Sequence, residues 1–203
     1  MLQIINLTRA SLLVHVMVAA LAIWSALVAS SIAADVAAVD AFLADTPKSL
    51  FGPPPEFGVG PFHRSGGYEW CANWPIADSL SVAISAALRM VIRPGTGIGP
   101  SLSIIFNRQA VARLDFVPID DCESNPPWGS GLGLSPRVCG PHYHAWEHNR
   151  SHVLLTGEWE LPCREPLPPQ LRKFEQAFPW LADRINLVLT SNQRRFEPPP
   201  QLL

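Results

Sequence analysis

The chain has 203 residues, a formal charge of -2 from 15 basic and 17 acidic side chains, and only 16% charged residues. That length suits one sizeable domain with its own core. The even balance of charge excludes a globally basic nucleic-acid binder, and the abundance of apolar residues excludes disorder throughout.

No Asp, Glu, Lys or Arg occurs between Arg9 and Asp35, and the run SLLVHVMVAALAIWSALVA is long enough to cross a bilayer. Residues 10–34 are therefore expected to contact a membrane, either as the apolar core of an export signal or as an uncleaved anchor. Ser31-Ile32-Ala33 supplies a small-residue cleavage pattern. The exported or membrane-anchored reading competes with a cytoplasmic one, in which this first helix is simply buried. Three regions follow from this: a hydrophobic leader over 1–33, a single α+β domain over 34–196, and a Pro-rich tail over 197–203.

Asp35 to Ala44 predicts a short amphipathic helix, with Val36, Val39, Phe42 and Leu43 on one side and Thr46-Pro47 stopping it. Ser49 to Gly67 reads as an ordered surface loop, in which His63-Arg64 is either an exposed pair or a flap over a site. Tyr68 to Cys71 alternates like a strand, and Trp74-Pro75 reads as a break. Leu88 to Arg93 alternates more cleanly. Leu88, Met90 and Ile92 share one face, and Arg89 and Arg93 share the other. The glycines of residues 94–100 fit neither the Walker nor the dinucleotide pattern, so a phosphate-cradling loop is rejected.

Leu102 to Phe106 and Ala112 to Val117 predict two strands joined through Asn107-Arg108-Gln109. Ala112, Leu114 and Phe116 face one way, so Arg113 and Asp115 project together from the opposite face. Pro118 to Pro136 is a second loop, where Asp120, Asp121 and Glu123 form a solvated acidic turn, since no calcium-loop pattern is present. Val138 to Trp146 enters as a strand, with His152 to Leu155 as a candidate partner, and Trp159 to Cys163 is extended. From Gln170 onward, Leu171, Phe174, Phe178, Leu181, Ile185 and Val188 recur at helical spacing, with a kink or restart at Pro179. The expected architecture is α+β. An antiparallel or mixed sheet, drawn from residues around 68–73, 88–93, 102–106, 111–117 and 140–155, is covered by C-terminal helices and preceded by an N-terminal hydrophobic helix.

The chemistry concentrates in CGPHYHAWEHNRSH, from Cys139 to His152, which holds His142, His144, His148 and His152 of the six histidines. In a strand, His142 and His144 leave the same face; in a helix, His144, His148 and His152 are stacked one turn apart. One reading is a metal site on His142, His144 and His148, with zinc as the cofactor and Cys139 near enough to add a thiolate. The other needs no metal. His142 and His144 divide the roles of base and acid, Arg113 stabilises developing negative charge, and Asp115 orients an imidazole, which together suit phosphoester or RNA cleavage. Both describe a hydrolase-like protein. The contrasting class is a non-catalytic binding or envelope protein whose histidines are structural. Asn149-Arg150-Ser151 fits the glycan acceptor pattern, and Asn149-Arg150 would also position the turn that follows.

Cys71, Cys122, Cys139 and Cys163 permit two disulfides in three connectivities, which suits an oxidising compartment. A bonded Cys139 would be lost as a thiolate ligand, so these two readings exclude each other.

Overall fold

The computed structural model describes residues 27–45, 47–59, 68–171 and 173–199, together with the isolated positions Met17, Ala20 and Ile23. His63-Arg64 and most of residues 10–26 lie outside the described residues.

A helix, α1, runs through Leu27–Ala44 without a break. Its first half is exposed, with Leu27 and Val28 open to solvent. Its second half buries Val36, Val39 and Phe42 in the core, where Phe42 stacks on Phe106 with ring centroids 4.5 Å apart. The helix is thus long and apolar enough to cross a membrane, while its last turns belong to the domain. Lys48, fully buried, closes the end by donating from Nζ to the carbonyl oxygens of Leu43 and Asp45. Those oxygens have no partner within the helix, and a cation is favoured there. Burial holds the Lys48 ammonium below its ordinary pKa, against the opposing pull of Asp45.

Two short strands follow, β1 (Lys48–Leu50) and β2 (Gly58–Val59), in what the sequence suggests is only loop. Next come β3 (Trp70–Ala77), β4 (Ala83–Ile92), β5 (Ser101–Phe106) and β6 (Gln109–Asp115). Pro75 does not break β3. Its carbonyl accepts from the Phe51 amide just past the end of β1, and the reciprocal bond that proline cannot donate falls where that pairing ends. Asn107 and Arg108, both at positive φ, make the tight turn between β5 and β6.

After β6 the chain leaves the sheet. It forms a two-stranded ribbon from β7 (Cys122–Ser124) and β8 (Arg137–Cys139), with a 3-10 turn at Pro127–Leu132 between them. Then β9 (His142–His144) returns to pair antiparallel with β6. Residues 146–155, read from sequence as sheet, are helix: α2 spans Trp146–Thr156. The inward positions Trp146, Asn149 and Val153 have helical spacing, but an asparagine occupies the middle one and hides the pattern. The remainder is β10 (Glu165–Pro166), α3 (Phe174–Arg184), β11 (Leu187–Val188) and α4 (Ser191–Arg194). Pro179 sits inside a single α3, and Val188 lies beyond it, exposed on β11.

The main sheet has the order β10-β9-β6-β5-β4-β3-β1-β11, with β2 also on β3. Its pairs are antiparallel apart from β1–β11, which is parallel. One face carries Leu88, Met90, Leu102, Ile104, Leu114 and Tyr143, all buried. Helix α3 lies over it, with Trp180 edge-on to Tyr143 at 5.1 Å and Phe178 against Phe196, which in turn meets Trp74. The fold is thus α+β, with an N-terminal helix and a mixed, mainly antiparallel sheet covered by α2, α3 and α4. The opposite face is polar, and the candidate site lies there.

Candidate metal centre

The two-residue strand period places Arg113 and Asp115 on the polar face of β6 and His142 and His144 on the same face of β9. Register then fixes who meets whom. Arg113 stands opposite His144 and Asp115 opposite His142, while Ser101 and Ser103 of β5 stand opposite Asp115 and Arg113. Nε2 of His144 lies 3.2 Å from Asp115 Oδ2 and Nε2 of His142 lies 3.7 Å from the same oxygen. The three donor atoms fall within 4.8 Å of one another. A tetrahedral zinc ion with bonds of 2.0–2.1 Å sets its ligand atoms about 3.3 Å apart. Asp115 is already near that spacing with both imidazoles.

The orientation of the rings decides their chemistry. His142 Nδ1 is 2.9 Å from the Gly140 carbonyl oxygen, and His144 Nδ1 is 2.5 Å from that of Leu161. A carbonyl oxygen cannot donate, so each Nδ1 carries the hydrogen and donates it. The Nε2 of a neutral ring then presents a lone pair toward Asp115. This is the arrangement by which a backbone carbonyl orients a metal-ligating histidine. Burial keeps the His144 imidazole below its ordinary pKa; the hydrogen bond that a protonated Nε2 would donate to Asp115 opposes this, and the nearby Arg113 charge adds to it. Burial would raise the Asp115 carboxyl. The hydrogen bond that His144 would donate in its protonated form, the Arg113 charge and the Ser101 hydroxyl, which donates at 2.6 Å, outweigh it and hold the group well below the usual carboxylate range.

Arg113 completes the cluster. Its Nε donates to Asp115 Oδ2 at 2.7 Å, and its Nη2 lies 2.9 Å from His144 Nε2 and donates there. The guanidinium thus supplies positive charge to the carboxylate and to the His144 lone pair.

The supporting frame is made of groups that carry no motif. The segment holding the Leu161 carbonyl is fixed by two buried asparagines. Asn149 donates to the carbonyls of Ala145 and Cys163 and accepts the Cys163 amide at 2.7 Å. Asn125 donates to Ser135 and Arg164 carbonyls and accepts the Arg164 amide. Arg164 reaches over the ribbon to pair with Glu123. Its own pKa is lowered by burial and by the charge of Arg113 nearby. Gly140 has φ +76°, and a Cβ there would meet Ile119 Cα at 3.3 Å, so the bend that aims its carbonyl at His142 requires glycine.

Other sequence candidates lie elsewhere. His148, on α2, faces Glu165 Oε2 at 3.5 Å and does not join the cluster. His152 stacks against Trp128. Cys139 is joined to Cys122 with sulfurs 1.99 Å apart, so it is not a thiolate ligand; Cys71 and Cys163 are free. The Asn149 side chain is fully buried and bonded on both its oxygen and its nitrogen, which closes it to a glycan. Asp120, Asp121 and Glu123 are all exposed, as a solvated acidic turn requires, and Glu123 also pairs with Arg164.

Beside the cluster, the polar face of β4, β5 and β6 forms the floor of a groove of about 900 Å³. Arg113, Asp115, Ser101 and Ser103 line it, whereas both imidazoles are sealed beneath. No protein-family model matches the chain, and no curated protein or solved structure matches it. The molecule is therefore defined by its own geometry: an α+β protein with a buried Asp–His–His cluster capable of coordinating a metal ion.

Proposed function

We propose that Asp115, His142 and His144 bind a divalent transition metal of the zinc type, and that the protein uses it to hydrolyse an ester held in the adjoining groove. The observation that carries this reading is the convergence of three acceptors, two imidazole lone pairs and a carboxylate oxygen, on one point. Such an arrangement calls for a cation, and Arg113 meets the carboxylate and the His144 lone pair while leaving that of His142 for a metal ion. Asp115, His142 and His144 would hold the ion as three protein ligands, and a zinc-type ion there would supply an activated water as nucleophile. Arg113, partly exposed at the groove floor, is placed to hold the substrate's negative charge when it turns away from His144. Histidine-based acid–base cleavage without a metal is less favoured, because both imidazoles are buried and neither reaches the groove.

A second reading draws on Arg113 itself. Since it already donates to Asp115 and to His144, the cluster also closes as a purely structural network in a non-catalytic binding protein. One experiment separates the two. The chain is stripped with a chelator, reloaded with zinc, and its metal content and turnover of an activated phosphoester are measured. One bound ion, lost together with turnover in His142→Ala and His144→Ala, supports the metal centre. A folded chain that takes up no divalent ion supports the structural network.

For location, the proposal is export or membrane attachment through the residues before Asp35. The exposed apolar first half of α1 supports it, as does the Cys122–Cys139 bond, since such bonds persist mainly in oxidising compartments.

A further inference from the structure

The groove contains several guanidinium groups, and their partners are not equal. Arg93 pairs with Glu69 at 3.3 Å and Arg113 with Asp115, while Arg164, outside the groove lining, pairs with Glu123. Among the described residues, Arg89 has no carboxylate partner. Its Nη2 makes only a long contact to Cys71 Sγ at 3.7 Å, and its Nε is buried with no partner. A buried charged donor left unmade is costly, and native structures leave few without a reason such as an absent ion.

The register shows what could satisfy it. Arg89 on β4 stands opposite Ser103 on β5, and Ser103 stands opposite Arg113 on β6. Adjacent strands lie about 4.8 Å apart, so the two arginines flank the serine at a backbone separation of about 10 Å, within reach of two long side chains. The Ser103 hydroxyl has no hydrogen-bond partner among the described residues and lines the groove. The unmet Arg89 guanidinium and an open hydroxyl, joined by Arg113 when it turns from Asp115 and His144, form in one cross-strand row a receptor for a small oxyanion. Of the acidic groups nearby, Asp115 and Glu123 are paired and Asp121 is exposed, while Glu69, which pairs with Arg93 and meets Arg89 only through Cys71 Sγ, keeps a buried Oε2 without a hydrogen bond.

We infer that the row Arg89–Ser103–Arg113 binds the oxyanion of a phosphoryl or carboxyl group. This deepens the hydrolase proposal by naming the substrate class as an anionic ester, and it rests on that proposal only for what the anion is attached to. Arg113 links the two sites. Turned to the cluster it neutralises Asp115, and turned to the groove it joins Arg89.

The test is made on the full chain in the presence of a chelator, so that the outcome does not depend on metal. Inorganic phosphate and, separately, acetate are titrated while the side-chain Nε–H resonance of Arg89 and the heat of binding are followed. Saturable binding is expected, with a downfield shift of that resonance as it gains an acceptor. Tighter binding of phosphate assigns the site to phosphoryl groups, and tighter binding of acetate assigns it to carboxylates. Arg89→Ala and Ser103→Ala should each weaken binding, by about tenfold or more for the arginine. Arg89→Lys, which keeps charge and stem and so protects folding, should also weaken it by losing the fork. Absence of saturable binding of either anion overturns the inference, as does binding unchanged in Arg89→Lys and Ser103→Ala. Zinc uptake, measured separately, fails or survives on its own terms.

Discussion

The attachment of α1 to the domain can be tested at Asp40. Its Oδ1 accepts the Trp146 indole N–H at 2.8 Å and its two oxygens accept Arg150 Nε at 2.9 and 2.8 Å, with Arg150 Nη2 at 2.7 Å from Oδ2. This clasp ties the buried second half of α1 to the first turns of α2. The ion pair is 36% and 42% exposed, so solvent screening limits it to about 1 kcal/mol. The indole is buried, and losing its acceptor costs roughly another 1 kcal/mol. Asp40→Ala should therefore cost about 2 kcal/mol, and Asp40→Asn, which keeps an oxygen for the indole, about 1 kcal/mol. With a urea slope of roughly 2 kcal/mol per molar, the midpoints fall by about 1 M and 0.5 M. Tryptophan fluorescence in urea, from pH 7 down to pH 3, reads both.

The sign with pH is fixed by the direction of the shift. The Arg150 hydrogen bond holds the Asp40 carboxyl below its ordinary pKa; burial opposes this, and the Trp146 bond adds to it. A depressed carboxylate stabilises fully above its unfolded value, about 3.9, and that stabilisation is lost as pH falls through the lower folded value. The gap between the native chain and Asp40→Asn should be constant from pH 7 to about pH 5 and narrow below about pH 4. Equal midpoints at pH 7, or a gap of the same size at pH 3, would refute the reasoning.

Two further predictions concern the site. Asn149→Ala strands the buried Cys163 amide and carbonyl, so a loss of about 2–3 kcal/mol is expected; differential scanning calorimetry should show Tm lower by about 5–10 °C, and an unchanged Tm would count against the asparagine as the fastener of the Leu161 segment. Arg113→Met removes the positive charge now 2.9 Å from His144 Nε2. Zinc affinity, read by competition with a chromogenic chelator, should rise by roughly tenfold or more as like-charge repulsion is removed, and unchanged affinity would mean that the guanidinium does not stand where the ion binds.

Much of the polar face was legible in the sequence because a strand's period leaves little choice. The alternation in Leu88 to Arg93 and in Ala112 to Val117 sends Arg89, Arg93, Arg113 and Asp115 away from the core, and the spacing of His142 and His144 puts both on one side. What the sequence could not supply was strand order. The chain between Asp115 and His142 makes an excursion through a separate ribbon, and nothing local specifies that β9 comes back beside β6. The frame was hidden for a different reason. Backbone carbonyls of Gly140 and Leu161 carry no side-chain signature, and Asn149 in the middle of an inward helix face makes α2 look less amphipathic than it is. Helical spacing also predicts that His148 converges with His144, but the strand ends before the helix begins, so the two rings diverge.

The Cys122–Cys139 bond bears on that excursion. Pairing β9 with β6 closes a long loop of otherwise free chain, and the crosslink takes out the 17-residue separation between its two sulfurs. By the logarithmic dependence of closure entropy on length, this eases the pairing by about 1 kcal/mol. An oxidised nascent chain should thus dock His142 and His144 beside Asp115 sooner than a reduced one, which makes the redox history of the protein a determinant of how quickly its polar face matures.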